Sequence, residues 1–181
     1  MSLKREAENG KNGLSITEAE AELYDRQIRL WGLDAQKRLR ASSILVIGMT
    51  GVGAEICKNL ILSGVRSLAM LDPSLVTEED FVSQFLIARE DLGKNRAKAS
   101  LQRAKELNPM VQVTADSTDV ESKPPTFFND FDVVIATGCS SDTITKLNNI
   151  CTTSSIKFYA ADVFGFYGYM FADLGRHRYV E

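Results

Sequence analysis

One stretch of sequence decides the fold of this chain: Ile44-Leu-Val-Ile-Gly-Met-Thr-Gly-Val-Gly-Ala-Glu-Ile-Cys-Lys-Asn-Leu-Ile-Leu-Ser63. Four apolar residues run directly into glycines at positions 48, 51 and 53, and apolar residues at helical spacing follow them. This order predicts a strand, a tight turn and a helix. In nucleotide-binding proteins, such a turn holds a phosphate group on the backbone N–H groups that begin the helix.

The glycine pattern departs from the dinucleotide-binding fingerprint at one position. The pattern G-x-G-x-x-G, counted from Gly48, requires glycine at position 50, which is Thr50 in this chain. That glycine normally lets the backbone approach the phosphates closely. Asp72 lies 19 residues beyond Gly53, near the roughly 20-residue spacing of a carboxylate that binds ribose hydroxyls. We therefore predict a Rossmann-like turn with a vestigial nucleotide-binding set, namely Gly48, Gly51, Gly53 and Asp72.

Length and composition indicate one globular domain of ordinary polarity. The chain has 181 residues, of which 44% are hydrophobic, so a substantial core can form. Its formal net charge of −3 is dispersed along the sequence, which argues against a nucleic-acid or membrane-surface partner. No apolar run approaches the roughly 20 residues needed to cross a bilayer.

The cysteines favour an intracellular protein with reduced thiols. There are three, Cys57, Cys139 and Cys151, and no two of them are spaced as C-x-x-C. An odd number without a paired spacing is typical of buried, unpaired thiols. Cys139 falls at the start of a predicted helix, where the pKa of a thiol is lowered in principle, but a lone thiol there is more often structural.

Helical and extended patterns alternate along the chain. Strands are predicted at 44–47, 65–71, 111–115, 132–136, 156–161 and 167–172, the last as a candidate for antiparallel pairing. Helices are predicted at 18–30, 34–41, from the glycine turn to residue 64, and at 95–107 and 142–151. The alternation indicates an α/β fold with a Rossmann-like, doubly wound, mostly parallel sheet in the order 3-2-1-4-5 and an N-terminal helical extension. No helix follows the last strand, so we expect a domain truncated at its C-terminus with part of the sheet uncovered.

Two local signals concern the ends of helices. Thr17 and Glu20 have the spacing of a capping box, which predicts a helix beginning at about residue 18. Asp142 lies where it can cap the helix that begins near Ser141, and we interpret it as a cap rather than as a metal ligand. Residues 1–16 are polar and are predicted to be a disordered tail.

Catalytic side chains are scarce along the sequence. In a doubly wound sheet, ligands bind at the carboxyl ends of the strands, which here means the glycine turn, Asp72, residues 137–141 and Asp162. The one histidine, His177, has no partner in sequence with which to form a catalytic triad. No His/Cys cluster has the spacing of a metal site, and no G-x-x-x-x-G-K-[ST] is present.

Seven motifs occur together between residues 19 and 181 and resemble the ThiF-like adenylation fold of the ubiquitin-like modifier activating enzymes. Within that family the resemblance is to the smaller subunits of heterodimeric SUMO-activating enzymes. It covers only the N-terminal half of such a subunit. Residues 17–181 are accordingly interpreted as an incomplete adenylation domain. The motifs are Tyr24-Asp-Arg-Gln-Ile-Arg-Leu-Trp-Gly32, Gly48-Met-Thr-Gly-Val-Gly-Ala-Glu-Ile-Cys-Lys-Asn-Leu-Ile-Leu62, Gln84-Phe-Leu-Ile87, Leu92-Gly-Lys-Asn-Arg-Ala-Lys-Ala99, Leu107-Asn-Pro109, Asp162-Val-Phe-Gly165 and Gly168-Tyr169.

The resemblance implies an enzyme built from two similar adenylation halves. One half binds MgATP and adenylates the modifier, and the other is its pseudo-active partner. The active half carries an Asn and an Arg before its Gln-Phe, a Lys before an Ala in the next helix, an Asp after strand four and a second acidic residue after strand two. This chain instead has Asp80 or Val82 with Ser83, then Arg96, Cys139 and Ser74 at those places. The departures imply that this chain binds no cofactor alone and that MgATP is bound by its partner.

The resemblance assigns one positive role, to Arg26. In the family, the Arg of the Asp-Arg-Gln motif reaches across the dimer to the ATP phosphates of the partner. We therefore expect Arg26 to act in trans as a fixed cation that stabilises developing charge. Taken without the resemblance, Arg26 is a solvated charge on an amphipathic helix, and Arg29 is interpreted as a structural or rim contact.

The implied function is that of a non-catalytic subunit in a SUMO-activating enzyme, in the nucleus and cytoplasm. Its partners would be the catalytic SUMO-activating subunit and, through the complex, SUMO. One alternative is the inactive adenylation half of a ubiquitin- or NEDD8-activating enzyme. A second, from another class, is an NAD-dependent oxidoreductase, based on the glycine turn and Asp72. A third is a scaffold without any contribution in trans.

Overall fold

A six-stranded sheet forms the centre of the computed structural model, which describes residues 16–177. Residues 1–16 are the predicted disordered tail, and of these only residue 16 lies within the described residues. The strands are β1 (Ser43–Ile47), β2 (Ser67–Leu71), β3 (Gln112–Asp116), β4 (Val133–Ala136), β5 (Lys157–Phe164) and β6 (Tyr167–Asp173). Their order is β3-β2-β1-β4-β5-β6, with β6 antiparallel to β5 and the other pairs parallel. The predicted α/β class and the 3-2-1-4-5 order are confirmed.

Six α-helices accompany these strands in the described range. They are α1 (Glu18–Leu23), α2 (Asp25–Trp31), α3 (Leu33–Ala41), α4 (Gly51–Ser63), α5 (Arg96–Leu107) and α6 (Ser141–Thr153). Short 3-10 turns at Glu78–Val82, Arg89–Asp91, Val120–Ser122 and Pro125–Asp130 join some of the elements. No helix in this part of the chain is both long enough and apolar enough to cross a membrane.

The prediction of one continuous helix at 18–30 is wrong, because the chain breaks at Tyr24. Thr17 and Glu20 form the predicted capping box at the start of α1. Tyr24 then leaves helical geometry, with φ −100° and ψ 14°, and α2 begins at the next residue. The Tyr24 side chain is 3% exposed, and its hydroxyl accepts a hydrogen bond from Asn108 over 2.8 Å. Burial of this ring and its hydrogen bond to Asn108 accompany the turn between the two helices.

The cap of α6 also differs from the prediction. Ser140, rather than Asp142, precedes the helix in extended conformation, and its hydroxyl accepts the Thr143 N–H over 3.2 Å. A serine is as good a cap as an aspartate. Asp142 lies in the first turn, where its charge complements the positive end of the helix dipole.

Two hydrophobic layers cover the two faces of the sheet. Successive side chains of β1 point alternately into one layer and into the other. Ile44 and Val46 belong to the layer that contains α4 and α5, whereas Leu45 and Ile47 belong to the layer with Phe128 and α6. All five residues of β1 are buried, as expected for a central parallel strand with helices on both faces.

The β5–β6 hairpin at the sheet edge is much less covered. Phe158 of β5 is buried, but seven other large apolar side chains are exposed in the described structure: Val163, Phe164, Phe166, Tyr167, Tyr169, Met170 and Phe171. The expectation that part of the sheet lacks cover is met at this hairpin. β5 extends beyond its predicted end because each added residue pairs with β6.

Candidate functional site

The glycine turn is shaped by close backbone contacts at two of its glycines. Gly48 has φ +83°, and a Cβ there would lie 2.1 Å from the carbonyl oxygen of Thr137. A Cβ on Gly53 would lie 2.0 Å from the carbonyl oxygen of Gly48. These two glycines let β1, α4 and the end of β4 meet closely, which is a structural role that any Rossmann-like turn requires.

Thr50 occupies the position where the fingerprint has its second glycine, and it caps α4. Its hydroxyl accepts the N–H of Gly53 over 3.3 Å. A phosphate bound at this helix start would use such free N–H groups. One donor is therefore already engaged by the chain itself, and the Thr50 side chain occupies space beside Gly138.

Asp72 is buried and fully engaged by groups of this chain. Its side chain accepts the N–H of Met49 over 2.6 Å and the N–H of Ser74 over 2.8 Å. Arg96 Nε donates to the same carboxylate over 2.8 Å. With 1% of the residue exposed, the carboxylate has no accessible oxygen for ribose hydroxyls. Asp72 thus holds the glycine turn, the following loop and α5 together.

Arg96 extends this arrangement to a second carboxylate. Its Nη1 donates to Asp80 Oδ1 over 2.9 Å, and Asp80 also accepts bonds from the N–H and hydroxyl of Thr77. Burial by itself would raise the pKa of Asp80, but the bonds from Thr77 and the charge of Arg96 outweigh it and hold the pKa below its usual value. We call Asp72, Arg96 and Asp80 the ion triad. Its net charge is −1, so its single cation has no surplus charge for a phosphate.

A cavity of about 280 Å³ lies between the ion triad and the loop after β4. Its wall includes Asp72, Asp119 and Glu121, while its one lining cation is Arg96, which the triad already neutralises. Asp72 is enclosed within the ion triad, and Glu121 is paired with Lys146. The described lining therefore offers no unpaired cation that could neutralise the phosphates of MgATP. Within residues 16–177, no three His, Cys, Asp or Glu side chains cluster as metal ligands.

Cys139 lines the same cavity, and its thiol is not activated. Burial raises the pKa of Cys139 to about 11, and the negative charges of Asp72 and Asp162 add to this effect. The lowered pKa that the helix start suggested in principle is therefore wrong, because desolvation and nearby carboxylates dominate. The structural interpretation of the thiol agrees with its contact, since the Sγ donates to the carbonyl of Thr137 over 3.4 Å.

Across Thr50 lies a larger, open cavity of about 590 Å³. Gly51 and Ser83 meet on its wall, where a Cβ on Gly51 would lie 2.8 Å from the Ser83 side chain. Asp162 lines it as well and accepts the N–H of Gly138 over 3.1 Å. The glycine turn, Asp72, Cys139 and Asp162 are thus brought together at the carboxyl edge of the sheet, as predicted. His177 is exposed beyond β6 and lines neither cavity.

Arg26 is an exposed residue of α2. Within residues 16–177 no ion pair of Arg26 is found, whereas the neighbouring Asp25 pairs with Arg29 over 3.0 Å on the helix surface. The prediction that Arg29 makes a structural contact is consistent with this pair. Arg26 therefore presents its positive charge to solvent.

Arg26 lies at the opposite end of α4 from the glycine turn. Its neighbour Gln27 donates to the carbonyl of Leu62, in the last turn of α4, over 3.0 Å. α4 has 13 residues, and a helix of that length spans about 20 Å. Because an arginine side chain is much shorter than this, Arg26 cannot reach the glycine turn of its own chain.

Sequence reasoning missed the ion triad. Arg96 and Asp80 were noted only as departures from a family pattern, and Asp72 as a ribose ligand. The three residues lie on separate segments, and no periodicity or motif spacing links them. Their one sequence signal is weak: an arginine at the first turn of a helix, where a cation is unfavourable unless an acid lies nearby.

Comparison with known proteins agrees with the motifs. The ThiF family model matches residues 24–175. The chain is 59% identical over 166 residues to SUMO-activating enzyme subunit 1 of Rattus norvegicus, covering 92% of this chain and 48% of that protein. It is 58% identical to the Homo sapiens protein of that name, covering 96% and 50%, and 54% identical to that of Danio rerio, covering 94% and 49%.

The chain spans about half the length of the curated relatives it matches. The family match, in contrast, covers most of the chain and includes the glycine turn, the ion triad and the β5–β6 hairpin. The doubly wound sheet and the motifs agree with that match. This chain belongs to the ThiF family.

Proposed function

We propose that this chain serves as the non-adenylating subunit of a heterodimeric SUMO-activating enzyme. In this role it supports the ATP-dependent adenylation and thioester activation of SUMO by a catalytic partner subunit, in the nucleus and cytoplasm. The names of the relatives support the pathway, since each is called SUMO-activating enzyme subunit 1. They also favour SUMO over ubiquitin or NEDD8 as the modifier.

The proposal that the chain's own site does not adenylate is supported by the ion triad. Adenylation requires cations that neutralise the triphosphate and the charge that develops on it. At the carboxyl edge of this sheet, Arg96 is bonded to two carboxylates, and Thr50 caps a helix donor. The engaged state of Asp72 also disfavours the alternative of an NAD-dependent oxidoreductase, because the carboxylate after β2, where the ribose ligand of that fold lies, is not accessible.

The observation that carries the proposed role is the position of Arg26. It is an exposed cation, without an ion pair in the described structure, about a helix length away from the glycine turn of its own chain. A cation in this place cannot act on phosphates at the glycine turn of its own chain, but it is accessible to another protein. We infer that Arg26 contacts the phosphates of MgATP in the partner subunit and stabilises the negative charge of the transition state.

The test uses the heterodimer formed by this chain with the catalytic subunit of a SUMO-activating enzyme. ATP–pyrophosphate exchange in the presence of SUMO reports adenylation, and co-elution reports the dimer. We expect Arg26→Ala to lower the exchange rate by roughly 100- to 1,000-fold, as for loss of a single group that stabilises a transition state. Co-elution should not change.

Arg38→Ala is the matched control, since Arg38 is an exposed arginine on the adjoining helix α3. It should leave the exchange rate within about twofold of wild type, as expected for an isolated surface charge. An unchanged rate for Arg26→Ala would overturn the role in trans and favour a pure scaffold. Failure of the chain to co-elute with the catalytic subunit would overturn the subunit assignment.

A further inference from the structure

The C-terminal end of α4 is held by side-chain amides from three different elements. The last carbonyls of a helix have no partner within the helix and must find one elsewhere. Here each of the last three carbonyls accepts an amide N–H, a group of contacts that we call the amide clamp. The bonds run from Asn108 to Ile61 over 3.0 Å, from Gln27 to Leu62 over 3.0 Å and from Gln36 to Ser63 over 2.9 Å.

Gln27 is the member of the amide clamp that comes from α2, and it directly follows Arg26. Successive residues of a helix point about 100° apart, since one turn takes 3.6 residues. The bond from Gln27 to α4 therefore fixes the rotation of α2 about its axis. With Gln27 held inward, Arg26 is directed away from α4 and into solvent, as its exposure shows.

α2 depends on such anchors because it has only seven residues. Isolated helices of this length are not stable in water. At its start, Tyr24 packs on Gly64, where an added Cβ would lie 2.5 Å from the ring. At its end, Trp31 Nε1 donates to Gln36 over 3.0 Å. Gln27 is the polar contact between these ends.

The amide of Gln27 is also incompletely used. Its Oε1 is buried and has no hydrogen-bond partner within the described residues, although its Nε2 bonds to Leu62. A buried acceptor without a donor destabilises a fold. The side chain of Gln27 is therefore held through its donor alone, and removal of that donor would leave the Leu62 carbonyl without this partner.

We propose that Gln27 is a positioning residue for Arg26: its bond to the Leu62 carbonyl sets the direction in which the guanidinium leaves the subunit. This inference rests on the proposed function, because it needs Arg26 to act on the partner's phosphates. A displacement of about 1 Å in a group that contacts reacting atoms can reduce a rate by up to roughly 100-fold. A loosened α2 would cause such displacement without removing any charge.

The first experiment measures how strongly the bond from Gln27 protects α2 from local opening. Gln27→Met keeps the length of the side chain and removes the donor. Hydrogen exchange of the amides at residues 25–31 should then be faster by roughly tenfold, because α2 opens more easily. The control is Ile156→Val, a core truncation in the hydrophobic layer on the other face of the sheet, which lowers global stability without touching the amide clamp. Unchanged protection of residues 25–31 in Gln27→Met would overturn the inference.

The second experiment measures the link to Arg26 by ATP–pyrophosphate exchange in the heterodimer. Gln27→Met should lower kcat by roughly 3- to 10-fold with little change in KM for ATP, because the misplaced cation acts on the transition state. Ile156→Val should leave kcat within about twofold at a temperature where the dimer is folded. A purely structural role of Gln27 would lower only the amount of folded enzyme.

A double-mutant cycle separates the two proposals. In the Arg26→Ala background, Gln27→Met should cause no further loss of kcat, because both changes remove the same interaction. If Arg26→Ala lowers the rate and Gln27→Met adds an independent factor, the positioning role is wrong and the proposed function stands. If Arg26→Ala has no effect, the role in trans fails, and the positioning role fails with it.

Discussion

Arg96 bonds to Asp72 over 2.8 Å at the very place where a Rossmann-like sheet offers a carboxylate to a ribose. The pair is almost fully enclosed, since the side chain of Arg96 is 15% exposed and that of Asp72 is 2% exposed. A second carboxylate, Asp80, shares the guanidinium. The carboxylate that follows β2 is therefore fully occupied by contacts within the protein.

Removal of Arg96 should strongly destabilise the fold. Arg96→Ala would leave Asp72 and Asp80 buried without a cation, and breaking a buried pair in this way costs about 3–5 kcal/mol. Chemical denaturation at pH 7 measures the loss in the free energy of unfolding. Lys94→Ala is the control, because Lys94 forms an exposed pair with Asp91, and such pairs contribute at most about 1 kcal/mol. A similar loss in both variants would contradict the importance of the ion triad.

Glu20 should make stability depend on pH in the acid range. Burial would raise the pKa of Glu20, but hydrogen bonds from Thr17 and Arg40 and the charge of Arg40 together hold it below its usual value of 4.5. A carboxyl with a lowered pKa in the folded state stabilises the fold above its unfolded pKa. This contribution is lost as the pH falls through the folded pKa.

The variant Glu20→Gln tests this dependence. It should be less stable than wild type by about 1–3 kcal/mol at pH 7, as expected for loss of a hydrogen bond to a charged group. The difference should shrink as the pH is lowered below 4.5, because the wild-type carboxyl then also becomes neutral. Denaturant unfolding from pH 7 downward measures it, with the exposed Glu22→Gln as control. A difference that stays constant with pH would contradict the prediction.

Gly48 and Gly93 have similar positive φ angles but should tolerate substitution by alanine very differently. Gly48 has φ +83°, and an added Cβ would lie 2.1 Å from the carbonyl oxygen of Thr137. Gly93 has φ +77°, and its added Cβ would meet nothing within 4 Å. Gly93→Ala should cost only the left-handed strain of about 1–2 kcal/mol. Gly48→Ala should cost roughly 1–3 kcal/mol more, because β1 or the end of β4 must move.

Thermal unfolding of these two variants gives a direct comparison. Since the strain at φ is common to both, the difference between them isolates the close approach of the turn to β4. Equal melting temperatures would show that the end of β4 does not pack tightly against the glycine turn.

Cys139 should react slowly with alkylating agents despite its place before α6. A thiol whose pKa is about 11 is almost entirely protonated at pH 8, so iodoacetamide should modify it roughly 100-fold more slowly than a free cysteine. The rate should rise as the pH approaches 11. Mass spectrometry after timed quenching distinguishes Cys139 from Cys57 and Cys151, which are buried and should react only on unfolding. Modification of Cys139 at the rate of a free cysteine would contradict the structure.

The elements of the sheet could be predicted because their signals are local. Four apolar residues before Gly48 mark β1. Asn95 caps the start of α5 and Gly64 caps the end of α4, close to the predicted bounds of these helices. The break at Tyr24 could not be predicted, because its ring is buried against Gly64 and Asn108, which are distant in sequence.

For the candidate site, too, the sequence predicts which residues lie there but not which contacts they make. The residues at the carboxyl edge of the sheet, including Gly48, Asp72 and Asp162, could be named from strand ends alone. What those residues do could not, since the state of Asp72 depends on Arg96, which the chain brings back from 24 residues away. The role of Arg26 remains a prediction that rests on family resemblance and on its position.

The sequence by itself determined the doubly wound sheet, its glycine turn and the motifs of the ThiF family, because periodicity and turn chemistry act over a few neighbouring residues. Only the tertiary structure decided that the cation beside the turn is neutralised by Asp72 and Asp80, and that Arg26 lies at the far end of α4. Ion pairs and the directions of helices depend on distances between segments that loops bring together. Such distances leave no pattern along the chain.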